Sequence, residues 1–559
     1  MNGISLKITA LILLTLSGSS VFAQCTGWAN GGTNSYAWNI TLDNEDNSYT
    51  AGNYQGPALI GNLSLADTGI FVIKYDSLGQ LIWTKNFPCK DYGVFAPIHF
   101  SNNRIYLGFG FYDSVTLGNY TLTGNSTFPS IAVACLDPDG QVMWARTFAC
   151  TNASFLYALW NNSSGRVLIS GRYKGSLTMD GVTLEGPPVS GYCVYLTELD
   201  QQTGDVMWAK SSAIQPLISF ERGYIIRTDA ANDILLGGYY KHKITFDNLT
   251  LDNSSNGSYT YVPYIAKFDS SGNAVWLKGG TGPVGYANVY ALETDAENNV
   301  YFSTIFDSTA TIFGVPLDSH DGNIVIGKCS KSGDLLWLTQ VGSHIPDTTS
   351  VCVSLHLNND NTLTAFGWGY YQLIFDNDTL NSAGASDIFV CSLDTHGNYL
   401  SSYITGYINS ESFYDAAFDE NDHAYISGVY SGDTATLGSF GLHNNAVIDS
   451  FYLGNSFVWK NCPPGLSNNM ITHDREVAFS VFPNPFKEHI SINFSLINQS
   501  VLSLQVFNLL GQEVKTILEN EKEAAGEHQF SFATNGEGIY FVNLKVDGKV
   551  FLQKIVQVR

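Results

Sequence analysis

The chain has 559 residues and a formal net charge of −23, and nearly all of that charge lies before residue 477. A surface this acidic repels phosphate backbones and anionic head groups, so the composition argues against nucleic-acid binding and direct lipid binding. Nine cysteines in a chain of this length do not make a disulfide scaffold.

The first 23 residues have the features of a signal peptide. Lys7 precedes the apolar run 8–16, and small residues lead to Ala23. The run is too short to cross a membrane, and no other stretch of about 18 apolar residues follows it. Cys25 is not expected to carry a lipid, because Gln24 stands where a lipoprotein signal needs a small residue. We predict an exported chain without a transmembrane segment.

A tight turn followed by a strand that carries a Trp recurs about every 60 residues. The clearest copy is Asp137-Pro138-Asp139-Gly140 before Trp144, with Asp, Pro and Gly at the places that a type I turn prefers. The Trp position is filled in the other copies by Trp83, Trp208, Trp276, Trp337 and, in the last, Ser401. This spacing indicates an internal structural repeat.

Each repeat also contains a short hairpin, first at 59–65 and last at 436–442, and the second strand often ends in Gly-x-aromatic, as in Gly52-Asn-Tyr54. The sequence contains seven such hairpins but only six turn–Trp units. Four antiparallel strands per repeat, with no helical period, predict an all-β fold: a seven-bladed β-propeller with four-stranded blades. A parallel β-helix is the alternative fold, but its repeats are shorter and lack such hairpins.

The count of repeats predicts how the ring closes. The seventh repeat, about 413–453, supplies three strands and lacks the Trp strand. The segment around Trp28 is similar to the fourth strand of the other repeats. We predict that this N-terminal strand completes the last blade, which removes the free edges of an open array.

The cysteines give two candidate disulfides. Ring closure would bring Cys25 near Cys462, whereas Cys89 and Cys150 occupy equivalent places in neighbouring repeats. Four others lie in or near the strand before the turn and are expected to be small buried hydrophobes: Cys135, Cys193, Cys329 and Cys391.

These repeats resemble the bacterial seven-bladed β-propeller repeat family known as SBBP. The resemblance covers about 25–459 and rests on the Gly-x-aromatic and Asp-x-x-Gly-x-x-x-Trp elements. It implies the propeller fold and no particular activity.

The composition changes from Asn461. A linker is predicted over 461–476, and alternating strands then predict a small β-sandwich over 477–559. This tail is similar to the type A C-terminal sorting domain of type IX secretion. The matching residues are Pro483, Asn484, Pro485, Gly538, Tyr540 and Lys554. The resemblance implies the type IX secretion machinery as a partner and a location outside the cell or on the outer-membrane surface.

One position of the first strand of each repeat is the candidate ligand site. Around the predicted ring it reads Thr41, His99, Trp160, Arg227, Glu293, His356 and Ala417. We take His99, Trp160, Arg227, Glu293 and His356 as the ligand-binding candidates, because propellers often bind ligands at the central axis. The simpler interpretation is that these side chains meet channel water, with Arg227 and Glu293 paired across adjacent blades.

No catalytic motif, metal site or cofactor site is predicted. The acidic turns lack the spacing of a calcium loop, and His99 and His356 are three blades apart, too far for a shared metal. With a signal peptide over 1–23 and a propeller over 24–460, we predict a secreted or cell-surface binding or adhesion module with a glycan or protein ligand. The alternatives are a polysaccharide lyase or glycosidase and a structural surface component; an enzyme is the less favoured interpretation.

Overall fold

In the computed structural model of the chain, the described residues run from 27 to 557. They are interrupted at 92–94, 189, 216–218, 257–259, 283–286, 307–308, 320–322, 343–349, 376–377, 407–409, 433, 438–439, 444–453, 462–476, 483–488, 497–498, 509–511, 534–537 and 547–548. The chain contacts divide it into two compact units, 1–465 and 466–559. Within the described ranges, no helix has the length and apolarity needed to cross a membrane.

The first unit is built from antiparallel sheets of four main strands, and in all but the last sheet these strands come from one continuous segment of the chain. Sheet 1 contains Ser35–Leu42, Ser48–Gln55, Thr68–Tyr75 and Leu81–Pro88. Sheet 2 contains Ile98–Ser101, Arg104–Tyr112, Ser130–Leu136 and Val142–Cys150, and the short strand Lys90–Asp91 also pairs with it. Sheet 3 contains Ala153–Asn161, Val167–Lys174, Cys193–Leu199 and Val206–Ser211.

The remaining sheets repeat this order. Sheet 4 contains Arg222–Thr228, Ile234–Tyr240, Val262–Phe268 and Ala274–Thr281. Sheet 5 contains Asn288–Thr294, Val300–Ile305, Ile324–Cys329 and Leu335–Val341. Sheet 6 contains Val351–Leu357, Thr362–Phe375, Asp378–Asp394 and Tyr399–Thr405. Sheet 7 contains Glu411–Phe418, Ala424–Tyr430, Asn455–Asn461 and, from the N-terminal end of the described chain, Trp28–Gly31.

Short hairpins project between the second and third strands. They pair Ala58–Ile60 with Leu63–Leu65, Ser114–Leu117 with Tyr120–Thr123, Ser176–Met179 with Val182–Glu185, Lys243–Phe246 with Leu249–Asp252, Thr309–Ile312 with Val315–Asp318, and Thr434–Leu437 with Phe440–His443. In sheet 6 the hairpin continues from the long second and third strands. A 3₁₀ turn, Ser254–Asn256, follows one hairpin.

The first strand of each sheet, called the inner strand, contacts the inner strands of the sheets on both sides. These contacts run from sheet 1 to sheet 7 and return from sheet 7 to sheet 1. Apolar side chains fill the spaces between adjacent sheets, and the core is therefore divided into several clusters. The predicted all-β class is confirmed, and the seven sheets are consistent with seven blades.

The N-terminal strand forms the outer edge of sheet 7. Trp28 pairs with Lys460 and Gly31 with Phe457, in antiparallel register. The third strand of sheet 7, however, is Asn455–Asn461, so the prediction that the seventh repeat supplies its three strands by about 453 was wrong. This strand contains the apolar run Phe457-Val458-Trp459, all three of them buried, but it lies next to the predicted linker.

Six inner strands contain a β-bulge at the same place. In sheet 1 the pairing with the second strand skips Trp38, and in sheet 3 it skips Tyr157. The bulge pushes a carbonyl group toward the second strand, and a Cβ built on Gly52 would lie 1.8 Å from the Tyr36 carbonyl oxygen. This close approach requires glycine and explains the Gly-x-aromatic element of the sequence.

The turn–Trp element joins neighbouring sheets. The Trp144 indole donates to the Gln201 carbonyl oxygen at 3.1 Å, and this carbonyl lies in the turn of the next sheet. Gly204 of that turn has φ +74° and lies against the face of Trp144, where a Cβ would come within 2.6 Å of the ring. Equivalent indole bonds are made by Trp28, Trp83, Trp276 and Trp337. The repeat therefore encodes contacts between sheets.

Replacing Trp144 by Phe is expected to lower the free energy of unfolding by about 1–2 kcal/mol, because the Gln201 carbonyl loses its donor and the smaller ring leaves space. Trp208→Phe is the matched control, since the Trp208 indole has no hydrogen-bond partner among the described residues. Chemical unfolding should show the smaller loss for Trp208→Phe. Equal losses would contradict the role given to the indole bond.

The second unit contains two antiparallel sheets. One joins Val477–Phe482, Ile490–Leu496 and Gly526–Phe532, and the other joins Glu513–Glu523, Ser500–Asn508, Gly538–Val546 and Lys549–Gln557. Side chains of both sheets meet in one apolar core that includes Ile492, Leu504 and Leu544.

No disulfide is formed among the described cysteines. Cys89 and Cys150 are both buried and are not bonded to each other, so the candidate disulfide between them was wrong. Equivalent positions in neighbouring repeats are separated by a whole sheet. The other candidate pair, Cys25 and Cys462, lies outside the described residues.

Candidate functional site

The inner strands of the first unit line a cavity of about 360 Å³. All seven positions of the predicted ring contribute to its wall: Thr41, His99, Trp160, Arg227, Glu293, His356 and Ala417. We call these residues the polar layer. The structure thus brings together the five ligand-binding candidates that the repeat alignment selected.

Trp160 lies between two basic side chains of the polar layer. The Arg227 guanidinium carbon is 4.2 Å from the Trp160 ring centre, and the His99 and Trp160 ring centres are also 4.2 Å apart. The Trp160 indole donates to the Thr228 hydroxyl at 3.2 Å, which holds the ring in place. A cation over an indole face is a favourable contact that leaves the in-plane N–H donors of arginine available.

His99 is a neutral side chain. Its Nδ1 lies 3.0 Å from the Asn161 Oδ1, and Asn161 donates through Nδ2 to the Gly165 carbonyl, so His99 donates from Nδ1 and keeps Nε2 as an acceptor. Burial lowers the pKa of His99 to about 4, and the Arg227 charge adds to this effect. Neutral pH therefore leaves this acceptor unprotonated.

Arg227 and Glu293 do not pair with each other. No ion pair joins them in the described part of the chain; Arg227 donates from Nη1 to its neighbouring Ile226 carbonyl at 3.0 Å, and the Glu293 Oε1 accepts from the Thr294 amide at 2.9 Å. The expected Arg227–Glu293 pair was wrong, because stacking on Trp160 holds the guanidinium elsewhere. Burial raises the pKa of Glu293, while the Arg227 charge opposes this. Both groups keep hydrogen-bonding capacity toward the cavity.

His356 is fixed by sheet 7. Its Nε2 lies 2.9 Å from the Asp422 Oδ1, and its ring stacks on Phe418 with the ring centres 3.8 Å apart. His99 and His356 belong to sheets 2 and 6 and do not approach each other as a metal pair. In the described ranges, no group of three or more His, Cys, Asp or Glu side chains could hold a metal ion.

A second layer of aromatic side chains lines the cavity three residues before the polar layer. It is formed by Trp38, Tyr157, Tyr224, Tyr290 and Tyr414, with Val353 at the same position in sheet 6; Phe95, four residues before His99 and ahead of the first strand of sheet 2, joins them. Six of these are the residues that the inner-strand bulges skip in the pairing, so each bulge turns one side chain toward the cavity. We call this group the aromatic layer.

Contacts within the aromatic layer cross between sheets. The ring centres of Trp38 and Tyr414 are 4.5 Å apart, and Phe95 contacts Trp38, Tyr157 and Tyr224 at 5.1, 5.4 and 5.7 Å. Phe95 therefore reaches residues of sheets 1, 3 and 4. Sequence reasoning missed this layer, although an aromatic residue three positions before the polar layer recurs in most repeats.

Asp415 adds a carboxylate between the two layers. Its Oδ2 accepts from the Asn39 side chain at 3.0 Å and from the Ile40 amide at 3.1 Å, which ties sheet 7 to sheet 1. Burial raises the pKa of Asp415 to about 6, although these two donors and the Arg227 charge act in the opposite direction. The cavity thus holds one guanidinium and two carboxyl groups.

The Asp415 carboxyl group is expected to make stability depend on pH. Its folded pKa of about 6 exceeds the usual 3.8, so the folded protein binds the proton more tightly. The contribution is complete below about pH 4 and is lost as pH rises through 6, a total of about 3 kcal/mol. Urea unfolding between pH 4 and 7 should show a steeper fall for the wild type than for Asp415→Asn. Parallel curves would contradict this assignment.

The sorting-motif residues belong to the second unit. Gly538 opens the strand Gly538–Val546, Tyr540 pairs with Ile555, and Lys554 pairs with Phe541. The three residues of the Pro-Asn-Pro element, 483–485, lie outside the described residues.

Comparisons with known proteins identify the tail. Residues 480–558 match the family described as the secretion system C-terminal sorting domain. No curated protein matches the chain. The resemblance of the repeats to the SBBP family stays a prediction.

Solved structures with some similarity include a protein of unknown function from Bacteroides caccae, at 8% identity and a TM-score of 0.27, covering 60% of this chain and 89% of that chain. The endosialidase of phage phi92 has 9% identity and a TM-score of 0.33, covering 82% and 72%. The hemagglutinin-neuraminidase of parainfluenza virus 5 has 9% identity and a TM-score of 0.31, covering 78% and 91%. Such TM-scores carry no functional argument. The C-terminal region is a type IX sorting domain, and the protein is exported to the cell surface or the extracellular medium.

Proposed function

We propose that this protein is a secreted or cell-surface binding protein whose ligand enters the cavity between the polar and aromatic layers. The proposal takes 24–460 as the binding domain and 477–559 as the sorting domain, joined by the linker 461–476. The observation that carries it is the state of Arg227 and Glu293, which line one cavity without pairing with each other. Unpaired charged groups in a partly desolvated cavity are the groups that a polar ligand can satisfy.

The cavity favours a ligand with both polar groups and apolar faces. Arg227 supplies donors, His99 and Glu293 supply acceptors, and the aromatic layer supplies ring surfaces. A sugar combines hydroxyl groups with C–H faces that pack on aromatic rings, and a peptide side chain is the other ligand that fits this description. We place a glycan first.

An enzyme of the lyase or glycosidase class is the alternative. Such chemistry uses a pair of carboxyl groups whose pKa values are pushed apart, so that one donates a proton while the other is ionised. Here burial raises the pKa of both Glu293 and Asp415. Binding is placed first because Arg227 and Glu293 line the cavity without pairing, and a ligand can satisfy both without any proton transfer.

The proposal predicts that a glycan-array hit of the purified mature protein will depend on the polar layer. Arg227→Gln and Glu293→Gln are each expected to weaken binding at least about tenfold, the loss for one charge-assisted hydrogen bond. Glu297→Gln is the matched control, because Glu297 lies in the turn after the same strand and does not line the cavity. Unchanged affinity in both cavity variants would contradict the proposal. Release of reducing sugar would favour the enzyme, and ordered arrays without binding would favour a structural component.

A further inference from the structure

Sheets 3 and 4 carry a group of basic and aromatic side chains that the cavity does not account for. It consists of Arg172, Lys174, Tyr192, Phe220, Lys241 and Tyr261, and we call it the cation–aromatic patch. All six side chains are half-buried. In a chain with a net charge of −23, three basic side chains held together on two neighbouring sheets are a local reversal of charge.

The members of the patch form a continuous series of contacts. Arg172 and Lys174 lie 4.3 and 5.6 Å from the centre of the Tyr192 ring, and the Tyr192 and Phe220 ring centres are 5.9 Å apart. Lys241 lies 5.4 Å from the Phe220 ring and 5.8 Å from the Tyr261 ring. The rings therefore hold the cations in place side by side.

Arg172 keeps an unsatisfied donor within the patch. Its Nη1 donates to the Tyr239 hydroxyl at 3.3 Å, its Nε is buried without an acceptor, and no carboxylate pairs with it in the described part of the chain. Its guanidinium carbon also lies 4.9 Å from the Phe155 ring centre. A guanidinium whose faces are covered by rings still presents in-plane donors, which match the two oxygens of a carboxylate.

The patch is continuous with the aromatic layer of the cavity. Arg172 lies 5.7 Å from the centre of the Tyr157 ring, and Arg222 lies 3.8 Å from the same ring centre. Tyr157 lines the cavity. Side-chain contacts therefore run without a break from the cavity wall to the patch.

We infer that the patch binds the carboxylate groups of an acidic polysaccharide, so that the ligand of this protein is a uronic-acid-containing glycan. The inference rests on the proposed binding function and adds the charge class of the ligand. The guanidinium and ammonium groups of the patch suit carboxylates spaced along a polymer, while the aromatic layer of the cavity offers ring faces to the sugars. Nucleic acid is disfavoured, because Arg172 and Lys174 already occupy the Tyr192 ring face that a base would need.

The test uses the full mature chain and calorimetric titration with tetragalacturonate. Wild type should bind this probe and should not bind its methyl ester, which keeps the sugar rings and lacks the charges. Arg172→Gln should weaken binding at least about tenfold, and Arg172→Lys should also weaken it, because lysine keeps the charge and loses the planar fork. Lys174→Gln should lower the affinity for the probe several-fold. Lys174 contacts fewer rings than Arg172, so its replacement disturbs the packing less. Arg104→Gln is the control, since Arg104 bonds Gln202 away from the patch.

Four results would overturn the inference. They are equal affinity for the acid and its ester, equal or tighter binding of a thymidine oligonucleotide of the same charge, wild-type affinity in both Arg172→Gln and Lys174→Gln, and no binding of tetragalacturonate. Melting temperatures confirm that each variant is folded. If Arg227→Gln weakens binding of the probe while both patch variants do not, the cavity function stands and this inference alone fails. If only the patch variants weaken binding, the inference stands without the cavity.

Discussion

Replacing Trp28 by alanine is expected to lower the free energy of unfolding by about 4 kcal/mol, the usual loss for a buried tryptophan. Trp28 is 7% exposed, its indole donates to the Ser77 carbonyl at 3.1 Å, and its ring contacts Tyr75 and Tyr425. The residue thus joins the N-terminal strand to sheet 7 and packs that strand against sheet 1. Loss of its side chain weakens the closure of the whole ring.

Chemical unfolding of Trp28→Ala measures this loss, and Leu78→Ala is the control in the neighbouring turn. Leu78 is 62% exposed, so its truncation should change the free energy of unfolding by less than about 0.5 kcal/mol. A loss below about 1 kcal/mol for Trp28→Ala would mean that the N-terminal strand adds little to the fold.

Replacing Lys267 by methionine is expected to cost about 3–5 kcal/mol, because it leaves a buried carboxylate without its cation. The Lys267 ammonium lies 2.7 Å from Asp229 and 3.1 Å from Asp233, and the Asp229 side chain has no exposed surface. Burial alone would lower the pKa of Lys267, but the two carboxylates raise it above the ordinary value. The same lysine–aspartate pair recurs in sheets 1, 5 and 7.

The double variant Lys267→Met/Asp229→Asn separates loss of the pair from loss of packing. Asn keeps the Oδ1 that accepts the two turn amides, so the double variant should recover most of the stability. Lys278→Met is the control, because its pair with Asp334 is long, at 3.9 Å, and exposed. A double variant as unstable as Lys267→Met would contradict the burial argument.

The sequence predicted the positions of the polar layer because they repeat in register. Aligning the first turn of each repeat was enough to bring His99, Arg227 and Glu293 to one cavity. It could not predict their pairing, since whether a guanidinium meets a carboxylate or an indole face depends on side-chain geometry. Trp160 stacks with Arg227, and this contact keeps Arg227 from pairing with Glu293.

The aromatic layer was not predicted, because the backbone of the inner strands departs from regular alternation. An alternating pattern assigns Trp38 and Asn39 to opposite faces of a strand, but a bulge shifts the alternation by one residue. The Gly-x-aromatic element was the visible sign of these bulges, because Gly52 faces the displaced carbonyl. Asp415 was missed for the same reason, as it follows the bulged Tyr414.

An engineered disulfide between the N-terminal strand and sheet 7 tests whether this strand closes the ring. Asn30 and Val458 are paired in register, so their Cα atoms fall within the range that a disulfide needs. Peptide mapping of Asn30→Cys/Val458→Cys should find the two cysteines linked. Ala29→Cys/Val458→Cys should remain reduced, because adjacent residues of a strand point to opposite faces. Failure to link in the first pair, or equal linking in both, would contradict the closed ring.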